Sequence, residues 1–217
     1  MVKMSKRIGV IAGTPIDTML GVNFVKQNGL RAVGLSTASD PQEQNRLQYL
    51  NPDELTNKVS FIIKKLEGQG VFKTMIYCNS LSAAIDIDLI NRLNPNTSLV
   101  TPLDVYKRFS INVKSLVIWA ANGQCLENIE KIFYKHNPLI QIIGVSLLPV
   151  VKAIEELRPP DRIIKDFSLH KLCPKSSEPS ALLLGCTHFP YLKEELKHYL
   201  SIPIIDPAEN MLNELLR

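Results

Sequence analysis

The sequence predicts an α/β fold of mainly parallel sheets, organised as two related halves. Three observations predict it. Short apolar runs alternate with helical stretches along the whole length, and strands buried on both faces of a parallel sheet read as continuous apolar runs of this kind. The chain also repeats itself. At an offset of 108 residues Ile8-Gly9-Val10-Ile11-Ala12 lies on Leu116-Val117-Ile118-Trp119-Ala120, and at 110 Ala32-Val33-Gly34-Leu35-Ser36 lies on Ile142-Ile143-Gly144-Val145-Ser146. Finally, each half carries a cysteine just after a corresponding strand, and these two, Cys78 and Cys186, are again 108 positions apart.

Composition sets the outer limits. A chain of 217 residues that is 45% hydrophobic suits one large or two small domains with substantial cores. The net charge of +4 is scattered, and Arg7 and Lys64-Lys65 form no basic stripe interleaved with aromatics, which disfavours a nucleic-acid partner. Met1 to Arg7 is basic, but the apolar run before Thr14-Pro15 is too short for a signal-peptide core. No run approaches the ~18 apolar residues of a membrane span. A cytosolic protein without a membrane partner is expected, with its four cysteines as thiols rather than a disulfide framework.

In chain order, Ile8 to Ala12 reads as the first strand, and a helix follows from Asp17 to Gln27, stopped by Asn28-Gly29. Ala32 to Leu35 is the second strand. Ser36 to Pro52 is long and polar for a connection, and reads as a flap or a short helix. Leu55, Val59, Ile62, Ile63 and Leu66 mark one face of the next helix. Lys73 to Tyr77 is a strand, Leu81 to Leu93 a helix, and Ser98 to Val100 a short strand before Thr101-Pro102. The second half repeats the order: strand Lys114 to Trp119, helix Leu126 to His136, strand Ile140 to Val145, helix Pro149 to Leu157. A helical stretch with Ile163, Ile164, Phe167, Leu169 and Leu172 leads into a loop from Cys173 to Pro179. The strand Ala181 to Leu184, a helix to Leu200, a last strand Pro203 to Ile205 and a helix from Asp206-Pro207 complete the chain.

The strand Ala181 to Leu184 turns at Gly185 and shows Cys186, Thr187 and His188 in succession before Pro190, a residue suited to the first turn of a helix. Cys78-Asn79-Ser80 holds the same place in the first half. In α/β proteins ligands bind at such strand ends. Two thiols at corresponding strand ends suggest chemistry on opposite faces of one small molecule. A thiol whose reference pKa of ~8.5 is lowered by a helix N-terminus or a cation becomes a useful base. One thiolate takes a proton from carbon while the opposed thiol donates one, which inverts the centre. Asn79, Ser80 and Thr187 offer hydrogen bonds, and helix N-terminal amides a place for a carboxylate. Thr14, Asp17 and Thr101 are divided between turn chemistry and substrate contact. Asp206 reads as a helix cap, His136 and His198 as surface residues, and Cys125 and Cys173 as non-catalytic. A metal site built on His170, Cys173, Cys186 and His188 is the rival reading, but the His-x2-Cys and Cys-x-His spacings do not match structural zinc patterns. No metal is expected.

Gly185-Cys186-Thr187-His188-Phe189-Pro190 resembles the G-C-T-H-[YF]-P motif of glutamate racemases, and Cys78-Asn79-Ser80-Leu81-Ser82-Ala83 resembles their C-N-T-A-S-A. With the duplication and Asp206-Pro207-Ala208-Glu209, the chain is similar over essentially its whole length to the aspartate/glutamate racemase superfamily. The resemblance implies cofactor-independent racemisation of an acidic amino acid, aspartate or glutamate, in a cleft between two pseudosymmetric α/β domains. Their boundaries are placed at residues 1–102 plus 201–217 and residues 103–200. It implies Cys78 and Cys186 as the acid/base pair, His188 as an aid to Cys186, and substrate binding by Asn79, Ser80 and Thr187, with Thr14, Thr101 and Asn122 at neighbouring turns. A small-molecule amino-acid substrate and a homodimer are the partners it implies.

Three segments depart from the family pattern. Ile11-Ala12-Gly13-Thr14-Pro15 lacks the carboxylate and serine of F-D-S-G-x-G-G, leaving Asp17 as the nearest acid. Ala120-Ala121-Asn122-Gly123-Gln124 lacks both threonines of A-T-x-G-T. Leu148-Pro149-Val150-Val151-Lys152 has a lysine where V-P-L-V-E has Glu. Two other readings therefore stay open. One is a hydantoin-racemase or maleate-isomerase type of enzyme working on another carbon acid. The other is a non-catalytic relative that binds a carboxylate.

Overall fold

A computed structural model describes residues 7–47, 52–109, 113–174 and 179–217. The chain divides into two compact units, Met1–Pro102 with Ala208–Arg217, and Leu103–Pro207. The sequence reading of the long connection after the second strand includes residues 48–51, and that of the loop after Cys173 includes residues 175–178. Both groups lie outside the described residues.

The first unit runs β1 (Arg7–Ala12), α1 (Pro15–Gln27), β2 (Arg31–Ser36), α2 (Pro41–Leu47), α3 (Pro52–Glu67), β3 (Lys73–Ile76), α4 (Asn79–Ala84), α5 (Ile87–Leu93) and β4 (Ser98–Val100). Its strands form a parallel sheet in the order β2-β1-β3-β4. The second unit runs α6 (Pro102–Phe109), β5 (Ser115–Ala120), α7 (Gly123–His136), β6 (Gln141–Ser146), α8 (Leu148–Glu155), α9 (Pro160–Asp166), β7 (Leu182–Gly185), α10 (Lys193–Leu196) and β8 (Ile204–Ile205). Its sheet has the order β6-β5-β7-β8, again parallel. Helix α11 (Pro207–Leu216) completes the first unit.

The repeat seen in the sequence is a repeat of register. Gly9, Val10 and Ile11 pair with Thr74, Met75 and Ile76, and the residues 108 further on, Val117, Ile118 and Trp119, pair with Leu182, Leu183 and Leu184. The caps repeat too. Thr14 Oγ1 accepts the Asp17 N–H at 3.1 Å to start α1, and Asn122 Oδ1 accepts the Cys125 N–H at 2.8 Å to start α7. A side-chain acceptor at this position satisfies one of the helix's orphan amides.

Each unit has its own core. In the first, Ile11 and Ile76 of the central strands pack with Val59, Ile63 and Leu66 of α3. In the second, Leu116, Ile118 and Leu183 pack with Tyr106, Ile129 and Phe133. The stripe on α3 is the one its spacing predicts, since Leu55, Val59, Ile62, Ile63 and Leu66 are all buried.

Several expected elements differ in detail. The polar connection after β2 does contain a short helix, α2. The helix expected from Leu81 to Leu93 is two helices, broken at Ile85. There Asp86 caps α5 by accepting the Leu89 N–H at 2.8 Å, which begins a new helix rather than continuing the old one. The helix expected after Pro190 is a 3-10 turn, Phe189–Leu192, followed by the single turn α10. Phe189 N–H bonds to the Cys186 carbonyl and Tyr191 N–H to that of His188, each three residues back. Such bonds tighten the chain into 3-10 form. The sequence reading returns the chain to the first domain at residue 201. Pairing of β8 with β7 keeps Ile204–Ile205 on the second sheet, and the return comes at Ala208.

Candidate active site

In the second unit the site begins where β7 ends at Gly185. A side chain there would press on the Trp119 carbonyl of the paired strand, at 2.9 Å, and on Ile129 Cδ1, at 2.8 Å. Glycine thus lets the chain hug β5 and then turn, which delivers Cys186, Thr187 and His188 to the strand end. All three are buried. The Cys186 Sγ lies 3.5 Å from His188 Nδ1. The other ring nitrogen, Nε2, lies 2.5 Å from Glu155 Oε1 at the end of α8.

An ionised Glu155 only accepts, so Nε2 donates to it, and in the neutral imidazole Nδ1 then presents its lone pair to the thiol. The imidazole can take the S–H proton, and the carboxylate then faces an imidazolium. Phe189 anchors the turn from below, packing edge-on to Trp119 with ring centroids 6.4 Å apart.

The first unit places its cysteine at the corresponding strand end, but an α-helix follows it instead of a 3-10 turn and the chemistry differs. Cys78 follows β3 and is the residue before α4; its carbonyl accepts the Ser82 N–H at 3.0 Å and the Ser82 hydroxyl at 2.7 Å. Its Sγ lies 3.4 Å from Ser80 Oγ and accepts from Gln44 Nε2 at 3.5 Å. Asn79 is buried and Ser80 half-buried. Ser80 stands two residues after its cysteine, as His188 does, and the two are 108 positions apart.

The other predicted residues separate by role. Thr14 and Asn122 are the helix caps described above, and Thr101 is buried just before α6. Asp17 is buried and its Oδ2 accepts the Gly13 N–H at 3.4 Å. All four cysteines are free thiols and all are buried. Burial pushes the Cys173 thiol up to about 11, which makes it a poor nucleophile. His136 and His198 are exposed. His170 stacks on Tyr199 with ring centroids 5.4 Å apart. Among the described residues no three His, Cys, Asp or Glu side chains converge as metal ligands would, and no helix is long and apolar enough to cross a membrane.

Sequence reasoning missed two residues. Glu155 lies one helical turn beyond Lys152, where the motif comparison looks for a carboxylate. Lys152 itself is exposed. Gln44 lies on α2, in the connection that carries no motif. The repeat does not reach them by offset alone: 108–110 residues carry Gln44 onto Lys152 to Ile154, one short of Glu155, although each residue lies on the helix that follows the second strand of its half.

Two parallel four-stranded α/β units of identical strand order, each with a buried thiol at the end of its third strand, define a duplicated two-cysteine α/β protein. No protein-family model matches the chain. Over 186 residues it is 26% identical to the glutamate racemase of Clostridium perfringens, covering 82% of this chain and 66% of that one. The chain therefore spans just under two thirds of that relative's length. In fold it is similar to the glutamate racemase of Francisella tularensis, solved with D-glutamate (TM-score 0.69, 21% identity, 98% of this chain and 81% of that one). It is also similar to the aspartate racemase of Picrophilus torridus (TM-score 0.66, 16% identity, 97% and 93%). The chain is thus similar in sequence to glutamate racemases and shares its fold with glutamate and aspartate racemases.

Proposed function

We propose that the protein racemises an acidic amino acid, aspartate or glutamate, without a cofactor, by two-base proton transfer at Cα between Cys78 and Cys186. The observation that carries this reading is the Cys186–His188–Glu155 series, together with a second thiol at the corresponding strand end of the other unit. The substrate class rests on what the relatives are named for.

The chemistry follows from the second unit's geometry. His188 Nδ1 takes the thiol proton of Cys186, and Glu155 stabilises the imidazolium formed. The thiolate removes the Cα proton, and the electron pair of the broken C–H bond is held as a carbanion beside the carboxylate. The Cys78 thiol then delivers a proton to the other face. One proton leaves carbon and one arrives, so the enzyme ends with Cys186 as thiol, Cys78 as thiolate and His188 still holding the proton it took, ready for the opposite enantiomer. Asn79, Ser80 and Thr187 supply hydrogen bonds to the amino acid's polar groups.

Proton NMR of L- and D-aspartate and L- and D-glutamate in D2O, with no added cofactor, tests the proposal. Loss of the Cα proton signal from both enantiomers of one acid is expected. Absence of exchange with all four, from protein that melts cooperatively, overturns it and leaves another carbon acid or a binding role.

A further inference from the structure

We infer that Gln44 is a positioning residue for Cys78, the first unit's counterpart of the group that governs Cys186 in the second. The inference rests on the racemase reading only for its consequence in turnover; the contact itself is a property of the first unit.

Three observations converge on Gln44. Its Nε2 donates to Cys78 Sγ at 3.5 Å. The side chain also lies in the space left by Gly13, where even a methyl group would overlap the Gln44 amide. The missing side chain at position 13 is therefore what admits the amide to the thiol. Lastly, the location repeats. α2 is the helix after β2, and α8 is the helix after β6, the strand related to β2 by the repeat. Glu155 on α8 reaches Cys186 through His188, and Gln44 on α2 reaches Cys78 directly.

Chemically the two partners differ. Glu155 supports a proton acceptor beside its thiol. An amide N–H cannot take a proton, but it donates to sulfur, and a hydrogen bond to the charged form favours that form. Gln44 thus holds the Cys78 thiolate in place and makes it easier to form, which is what the acid of the pair needs after it gives up its proton. Since a carboxylate at position 44 would oppose a thiolate, the amide is the informative choice.

The test is the pH dependence of iodoacetamide labelling of folded, full-length protein, read for each cysteine by peptide mass spectrometry. For Gln44→Leu the Cys78 labelling midpoint is expected to rise by about one pH unit, and for Gln44→Glu by more, because hydrogen-bond loss and like charge each disfavour the thiolate. Gly13→Ala, which displaces the amide sterically, shifts it in the same direction as Gln44→Leu. The Cys186 midpoint stays put in all three and serves as the internal control. An unchanged Cys78 midpoint in Gln44→Leu and Gln44→Glu overturns the inference, as does a Cys78 that is not labelled up to pH 10 in the parent protein. If a variant melts too low to label, the remaining two decide. Cα exchange measured alongside separates the two ideas: shifted midpoints with no exchange in the parent sink the racemase reading and leave the Gln44 contact standing.

Discussion

Replacing Glu155 by Gln isolates what the carboxylate does for Cys186. The change keeps the size of the side chain and one acceptor oxygen, and removes the charge. The His188 and Glu155 side chains are only 3% and 12% exposed, so their interaction is not screened as it would be in water. With charge centres about 4 Å apart and an effective dielectric of ~20, the attraction between imidazolium and carboxylate is about 4 kcal/mol. A neutral hydrogen bond from the amide returns about 1 kcal/mol of this. The remaining ~3 kcal/mol falls on the state in which His188 holds the thiol proton, and corresponds to roughly a hundredfold loss in rate. Glutamine can also turn its NH2 toward Nε2, which would force the wrong tautomer and deepen the loss. The assay is racemisation and Cα exchange, with thermal melting to show that the fold persists. Lys152→Ala, on the same helix but exposed, is the comparison and should be close to parent. A folded Glu155→Gln protein with parental exchange rates would refute the role assigned to the carboxylate.

Three further outcomes are expected. The Cys173 thiol, held up at about 11 against 9.0 in the unfolded chain, ionises first on unfolding, so stability falls as pH rises through roughly 9 to 11. Urea midpoints at pH 8 and 10.5 should therefore differ less in Cys173→Ala than in the parent, and equal differences would refute this. Leu157 follows α8 with φ 52°, a left-handed conformation costing an L-residue about 1–2 kcal/mol, and its side chain is exposed. Leu157→Gly should gain about 0.5–1 kcal/mol after the extra freedom of the unfolded chain is counted, raising Tm by about 1–4 °C; a lower Tm contradicts it. Gly185→Ala must crowd the Trp119 carbonyl and Ile129, and should lower stability by about 1–3 kcal/mol in urea titration, whereas parental stability would show that the turn has slack.

The fold was legible because its central strands are buried and so write themselves as apolar runs, while the edge strands β2 and β6, partly exposed, still keep enough apolar residues to be seen. Duplication made them legible twice: the 108-residue offset that aligns Ile8–Ala12 with Leu116–Ala120 is also the offset of the paired registers. Both thiols and His188 were legible from the resemblance that the polar triplets carry. Glu155 was not, because motif comparison assigns the carboxylate to one position, while a helix can present it from the next turn and still reach the same imidazole. Gln44 was hidden for a different reason. Its significance depends on the empty space above Gly13, and a neighbour that matters by absence leaves no pattern in the residue's own surroundings in sequence. The break at Ile85 was missed through continuity of apolar spacing, although Asp86 three residues before Leu89 is a cap signal.

The two half-sites share a scaffold and differ in what touches the sulfur. Cys186 faces an imidazole backed by a carboxylate, and Cys78 faces an amide and a hydroxyl. Under the racemase reading this asymmetry has a limited set of ways to appear. Enantiomers have equal free energy in water, so the equilibrium constant is one and kcat/KM must be the same in both directions. A better base on one side cannot make the enzyme faster overall toward one enantiomer. It can only change which protonation state the resting enzyme favours, and hence how kcat and KM divide within the fixed ratio. With His188 and Glu155 in place, Cys186 is the thiol equipped to start as the base, and the enantiomer whose Cα proton faces it meets the more abundant form of the enzyme. Its KM and kcat are both the lower of the two. Substitutions at Glu155 and at Gln44 therefore push this division in opposite senses, while each lowers kcat/KM equally for both enantiomers.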